Sequence, residues 1–294
     1  MDLGADFRST EKGGSGALTA VRQRPELCSM KFGCVGRWAG SIAVVLLALA
    51  LGATEALAAE ICAFPTPPRV ITSEGVSSAK GSRLLQVWDV PEARIYWTTA
   101  NPADPAFQTF ATDVAKHVSV TDPVRLLRIS PAWNNPRLKQ SNTLVADRAA
   151  EWIHPAGCLE KLLLSLQHQR VSLFERPTEF AALVLRSSKG DRLRIYYLTI
   201  NEDGIGRMSP LTEPAMLDVK AGWRVEIALH NHSFHPGQPS IDGVLAPSEA
   251  DAQFVANFAA DAGLQAAWIT NGLHTSRIPA SAFGLFTAPA ETSR

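Results

Sequence analysis

The segment covering residues 223–251, WRVEIALHNHSFHPGQPSIDGVLAPSEAD, places the strongest constraint on the fold of this chain. Apolar residues occupy every second position over residues 225–229, which is the period of a β-strand. Side chains two positions apart on a strand point to the same face. The pattern therefore predicts that His230 and His232 project together from the end of this strand.

Two adjacent imidazoles are a common starting point for a zinc site, because histidine nitrogen is a preferred zinc ligand. The two histidines need a third ligand from elsewhere in the chain. Asp251 is the best candidate, because residues 247–251, PSEAD, have the pattern of a first helical turn. Asp242 is the rival third ligand, since it lies in the same loop and nearer to His232 in sequence.

The order of these residues resembles a known family. His-x-His at a strand end, a loop, and Ser-x-x-Asp at a helix start resemble the JAMM (MPN) zinc metalloprotease motif. That family also has a glutamate on an earlier strand, and Glu179 in RPTEFAALVL matches this position. The resemblance covers residues 158–286, and the loop from His232 to Ser248 is longer than the compact family pattern.

The resemblance implies an enzyme, a zinc-dependent peptidase or isopeptidase that hydrolyses an amide bond with a metal-activated water. The Zn²⁺ ligands would be His230, His232 and Asp251. Glu179 would carry the proton from the water to the leaving amine, and Ser248 would donate a hydrogen bond to the oxyanion. The implied partner is a peptide, a protein or a peptidoglycan-like amide substrate.

Each part of this pattern also has a simpler interpretation. The spacing of Ser248 and Asp251 is that of a helix capping box. The histidines could be ordinary surface residues, and Glu179 could be solvated at a strand start. The chain would then be a non-catalytic or degenerate JAMM-like binding module. LHNHS also resembles the first motif of PHP-type metallophosphoesterases, which gives a third alternative.

Three further residues compete for a place in the site. Glu226 shares the histidine face by the period of two, which makes it a rival base or an outer partner of a ligand. His235 is an extra candidate ligand in the loop. His274 could line the site from the last pair of predicted strands.

Residues 1–59 have the features of an export leader. Lys31 and Arg37 precede an apolar run over residues 39–52, and Ala56-Leu57-Ala58 follows as a small-residue cleavage site. The run of about 14 residues is shorter than the ~20 of a spanning helix. The pattern therefore predicts a cleaved signal peptide at about residues 30–59, a secreted or periplasmic protein, and no stable membrane span after cleavage.

The number and positions of the cysteines are consistent with export. Cys28 and Cys34 would be removed with the leader, which leaves Cys62 and Cys158 in an oxidising compartment. These two are expected to form a disulfide, although two separate buried thiols would also fit. The formal net charge of zero gives no basic field for nucleic acid, so no nucleic-acid partner is expected.

The predicted fold class is α+β (mixed α/β), and the resemblance implies a JAMM-like sheet flanked by helices. An N-terminal α+β region over residues 60–157 would precede the metallohydrolase domain over residues 158–290. In the second region the pattern predicts a helix from Cys158 and a helix over 250–262 that ends at Gly263. It predicts strands over residues 179–185, 192–200, 266–270 and 273–278.

The N-terminal region has weaker patterns. LLQVWDV and ARIYWTT predict two strands, and FQTFATDVAKHVSV predicts a helix. PVRLLRIS is interpreted as a strand, NNPRLKQSN as a polar loop, and residues 145–152 as a short helix. This region could be a small domain or an elaboration packed on the catalytic one.

Overall fold

The alternating segment that ends in the two histidines forms a strand, Arg224–Asn231, inside an eight-stranded sheet in the computed structural model of this protein. The structure describes residues 62–71, 77–78, 81–82, 84–99, 105–130, 135–176, 178–199, 208–234 and 242–288. The predicted leader and signal peptide lie outside these ranges. Within them, no helix is both long enough and apolar enough to cross a bilayer.

Ten strands occur in the described residues. They are β1 (Arg69–Ile71), β2 (Ser77–Ser78), β3 (Gly81–Ser82), β4 (Leu84–Pro91), β5 (Ile153–Pro155), β6 (Phe180–Arg186), β7 (Arg192–Thr199), β8 (Arg224–Asn231), β9 (Ala266–Thr270) and β10 (His274–Pro279). The main sheet has the order β1-β4-β7-β6-β8-β9-β10-β5, and β2 pairs only with β3.

The pairing of β8 with β9 is parallel, whereas the other pairs of the main sheet are antiparallel. A parallel pair needs a crossover connection, and a helix between β8 and β9 supplies it. Because both strands run in the same direction, the loop after β8 and the turn after β9 meet at one edge of the sheet. Ligand sites of mixed sheets commonly lie at such an edge.

Eight α-helices lie in the described residues. They are α1 (Pro105–His117), α2 (Pro123–Ile129), α3 (Pro136–Asp147), α4 (Ala149–Trp152), α5 (Cys158–Arg170), α6 (Ser209–Lys220), α7 (Glu249–Ala262) and α8 (Phe283–Thr287). Two short 3₁₀ segments, Arg94–Trp97 and Ala280–Ala282, accompany them. Helix α7 is the crossover between β8 and β9.

The sheet is covered on both faces. Along β6, Ala181 and Leu183 belong to one core, which also includes side chains of α6, α7 and α8. Ala182 and Val184 belong to the other core, which includes the leucines of α5. Successive side chains of a strand alternate between the faces, so these cores define an α7 face and an α5 face of the sheet. Such a two-faced burial explains why β6 is apolar throughout rather than alternating.

The α+β class predicted from the sequence is confirmed. Strands β1, β4 and β5 come from residues 62–157, yet they belong to the same sheet as the later strands. A disulfide joins Cys62 to Cys158, with 5.5 Å between their Cα atoms. Residues Ala59–Arg294 accordingly form one compact unit.

Two predictions in the N-terminal region are wrong. Residues 123–129 form α2 rather than a strand, and the segment predicted as a polar loop is largely α3. Asp122 and Asn135 are the N-caps of these helices; in the first turn, Asp122 accepts a hydrogen bond from one backbone N–H group and Asn135 accepts hydrogen bonds from two. A proline follows each cap at the first helical position, where its fixed φ favours the helix.

A third prediction in this region is also wrong, because ARIYWTT forms a 3₁₀ turn over Arg94–Trp97 rather than a strand. Its last threonine, Thr99, makes only an isolated bridge to Gly157.

The predicted elements of the second region are confirmed, including α7 and its left-handed cap Gly263 at φ 68°. The Asn-Gly turn also joins β9 and β10 as predicted, with Gly272 at φ 87°.

Candidate metal centre

The structure brings His230 and His232 together at the end of β8, on the α7 face of the sheet. His230 is 8% exposed and His232 is 3% exposed. Their Nε2 atoms lie 3.2 Å apart, with the ring planes at 66° to each other. The period of two thus places both imidazole edges toward one point, as the sequence predicts.

Asp251 reaches the same point from the first turn of α7. Its Oδ2 lies 3.5 Å from His230 Nε2 and 3.6 Å from His232 Nε2. Asp251 also completes a capping box, in which Ser248 N–H donates to Asp251 Oδ2 and Asp251 N–H donates to Ser248 Oγ. The cap and the ligand interpretations are therefore compatible, because the cap fixes the carboxylate that faces the histidines.

The spacing of these atoms fits a metal ion. Zinc bonds of ~2.0 Å at tetrahedral angles place ligand atoms about 3.3 Å apart. The three measured separations, 3.2, 3.5 and 3.6 Å, lie near this value. Among the described residues, His230, His232 and Asp251 form a group whose ligand atoms all lie within 4.8 Å of one another, and Asp242 is not part of it.

The tautomer of His232 suits a metal ligand. Its Nδ1 lies 2.7 Å from the Val244 carbonyl oxygen, to which it donates a hydrogen bond. In the neutral ring this bond leaves the lone pair on Nε2, directed at the site. An outer hydrogen bond of this kind orients most metal-binding histidines.

The loop that supplies Val244 is held by side chains of several elements. Residues 243–247 are buried. Four of their carbonyl oxygens accept side-chain hydrogen bonds, Gly243 from Asn271, Val244 from His232, Leu245 from Ser276 and Pro247 from Ser141. Gly243 has φ 67°, and a Cβ there would lie 2.4 Å from the Phe234 ring. The described end of the long loop is thus a fixed connection that delivers Ser248 and Asp251 to the histidines.

The electrostatics of the group match its geometry. Burial would raise the pKa of Asp251, but the charge of His230 and hydrogen bonds from both histidines hold this pKa well below its ordinary value. Burial would lower the pKa of His232, but Asp251 and the charge of Glu179 raise it above its ordinary value. Both shifts favour a negatively charged Asp251 next to a positive charge.

Glu179 lies beside this group, immediately before β6. Ala181 pairs with His230, and extending this antiparallel register by two residues places Glu179 opposite His232 on the same face. Glu179 is 5% exposed, and its charge acts on His232 as described above. A buried carboxylate next to a metal ligand is in a suitable place for a general base.

Asn231 is a site residue that the sequence analysis missed. It lies between the two histidines but points to the opposite face, where it is fully buried. Its side chain hydrogen-bonds the backbone on both sides of Glu179, at Thr178 and Phe180, and the hydroxyl of Ser233. A buried polar side chain must find such partners, so its place in a strand buried on both faces is the available signal.

Glu226 and His274 are not part of the metal-binding group. Glu226 forms ion pairs with Arg186 and Arg224 toward the other end of β8. His274 does not belong to the metal-binding group, and burial lowers its pKa. His235 lies outside the described residues. Ser248 is half-buried next to the group, where its Oγ accepts from the α7 backbone.

Comparison with known proteins identifies no relative of this chain. No family model, no curated protein and no solved structure matches the chain. The JAMM resemblance therefore remains a prediction from the motif, and any statement about function depends on the geometry of the site itself.

Proposed function

We propose that this protein is an exported zinc-dependent amide hydrolase, a peptidase or isopeptidase. The observation that supports this function is the convergence of His230 Nε2, His232 Nε2 and Asp251 Oδ2 at tetrahedral zinc spacing. A set of two histidines and one carboxylate is typical of catalytic zinc, because it leaves a coordination position for water. Structural zinc sites are closed by four protein ligands instead.

When bound by these three residues, zinc would lower the pKa of a coordinated water to ~7 and polarise a substrate carbonyl. Glu179 takes the proton of the attacking water and delivers it to the leaving amine. Its burial keeps the carboxylate out of bulk water, which strengthens its interaction with that proton. Ser248 stabilises the oxyanion by donating its hydroxyl proton, while its oxygen continues to cap α7.

The proposed setting is outside the cytoplasm. The disulfide between Cys62 and Cys158 supports this location, since such bonds persist in oxidising compartments. We therefore propose a peptide, a protein conjugate or a peptidoglycan-like amide as the substrate class.

The test is a screen of peptide and isopeptide libraries with the zinc-loaded wild type, Glu179→Gln and Glu226→Gln. The proposal predicts cleavage by the wild type and by Glu226→Gln, and a loss of about 10²–10⁴-fold in Glu179→Gln. Glu226 is the matched control, because it is a glutamate of the same strand, β8, that pairs with Arg186 and is not part of the His230, His232 and Asp251 group. Equal cleavage by all three proteins would exclude Glu179 as the base. No cleavage by any, with zinc bound, would favour the binding module.

A further inference from the structure

We infer that Asn231 is a positioning residue that fixes Glu179 beside the metal ligands. This inference deepens the proposed function, because it assigns the placement of the base to one side chain. The observation that carries it is that a single buried amide bonds the residues on both sides of Glu179.

The contacts of Asn231 are with the backbone. Phe180 N–H donates to Asn231 Oδ1 at 2.7 Å, and Asn231 Nδ2 donates to the Thr178 carbonyl oxygen at 3.1 Å. The same Nδ2 donates to Ser233 Oγ at 2.7 Å, and that hydroxyl donates to the Thr178 carbonyl at 3.3 Å. Asn231 therefore forms hydrogen bonds with the peptide units that precede and follow Glu179.

These side-chain hydrogen bonds lie just before the point where the described strand pairing begins. The described pairing of β6 with β8 begins at Ala181, and its pairing with β7 begins at Phe180. Thr178 and Glu179 precede both of these described pairings. Asn231 continues the connection between the two strands through its side chain, so that the base is tied to the strand that carries both histidines.

The amide group is the chemistry that this position requires. Asn231 accepts from one backbone group and donates to another at the same time. An aspartate carboxylate would still accept from Phe180 N–H, but it could not donate to the Thr178 carbonyl. Because a catalytic group must be held within about 0.5 Å, loss of one bond is sufficient to misplace Glu179.

Asn271 offers a matched control. It is 1% exposed, it follows the parallel neighbour strand β9, and it also makes three hydrogen bonds. Its partners are the Gly243 carbonyl and the N–H groups of Leu273 and His274. None of these adjoins Glu179. Because Asn271 also bonds the Gly243 carbonyl in the loop before Asp251, Asn271→Ala serves as a control for the placement of Glu179 only, and its zinc content is measured alongside.

The first measurement is a double-mutant cycle on amide hydrolysis at saturating zinc. Asn231→Ala is expected to lower kcat by about 10²-fold with little change in KM, which is the loss that a misplacement of about 1 Å causes. In the Glu179→Gln background, Asn231→Ala is expected to cause no further loss, because both changes remove the same function. Additive losses in the double variant would overturn the inference, whereas an unaffected Glu179→Gln would overturn the proposed base.

The second measurement does not need a substrate. The ¹³C signal of the Glu179 carboxyl is assigned by its disappearance in Glu179→Gln, in protein with and without zinc. The expected result is that Asn231→Ala and the size-conserving Asn231→Asp shift or broaden this signal, and that Asn271→Ala leaves it in place. An unchanged signal in both Asn231 variants would contradict the inference, even if no amide substrate were found.

Discussion

The two faces of the sheet bury ionisable side chains in different ways. On the α7 face, His230, His232 and Asp251 direct three acceptor atoms at one point. On the α5 face, Glu160 and Arg277 form an ion pair, with 2.9 Å between Oε1 and Nη2. The first cluster offers three ligand atoms that could hold a metal ion, whereas the second contains its own counter-charge.

The Glu160–Arg277 pair has further features of a structural interaction. Glu160 is fully buried in the first turn of α5, next to the disulfide at Cys158. The guanidinium of Arg277 lies 4.1 Å from the Trp268 ring centroid. Gly157 precedes this helix, and a Cβ there would lie 2.4 Å from the Thr98 carbonyl oxygen. The two opposite charges therefore pair with each other inside a tightly packed part of the fold.

The two clusters differ in what the buried charged groups face. Ligand atoms that converge at metal spacing indicate a candidate metal site, while an acceptor that meets a cationic side chain indicates support of the fold. Variants of the two clusters should therefore separate metal binding from stability.

The largest expected effect on stability is at the ion pair. Arg277→Met should lower the free energy of unfolding by about 3–5 kcal/mol, because it leaves Glu160 buried without its partner. Urea denaturation measures this change, and the zinc content should stay that of the wild type. The double variant Glu160→Met with Arg277→Met should recover much of the loss. An unstable double variant together with a stable single one would contradict the comparison.

The next effect concerns the third ligand. Asp251→Asn should weaken zinc affinity by tenfold or more, on the order of 1.4 kcal/mol, because one of three ligand atoms loses its charge. Asp242→Asn should change the affinity little, since Asp242 is outside the group. Competition with a chelator measures both values. The opposite ranking would move the metal into the loop and leave Asp251 as a helix cap.

The smallest effect, over a step of one pH unit or less, is a dependence of affinity on pH. The pKa of His232 is raised above its ordinary value in the folded protein without metal. Protonation of this ring therefore stabilises the fold. This stabilisation is fully present below the pKa that the ring has in the unfolded chain, and it is lost as pH rises through the pKa that it has in the folded protein. Zinc must displace that proton. Apparent affinity should therefore fall about tenfold per pH unit below the pKa of His232. Affinities corrected for the chelator that do not vary with pH would contradict this.

Much of the C-terminal half could be predicted from the sequence, because its signals are local. The alternation in β8 fixes the face of both histidines, and Gly263 marks the end of α7. In the N-terminal half, apolar composition predicted a strand and polar composition predicted a loop, whereas the N-cap residues predict helices at both places. Asp122-Pro123 and Asn135-Pro136 each combine an N-cap with proline at the first helical position, which is a helix start signal.

Other features depend on contacts between distant residues. Asn231 meets Phe180 across 51 positions, and Arg277 meets Glu160 across 117. No local periodicity reveals such pairs, because they form only when the strand order is set. The sequence suggested that Ser248 and Asp251 either cap a helix or bind a metal, and only the three-dimensional arrangement shows that one carboxylate can serve both purposes.

The most direct test of the metal centre is elemental analysis of the purified mature protein. The geometry predicts about one zinc per chain in the wild type and in Arg277→Met. His230→Ala and His232→Ala should each lose the metal while remaining folded by circular dichroism. Full zinc occupancy in both histidine variants would contradict the assignment of this cluster as the metal centre.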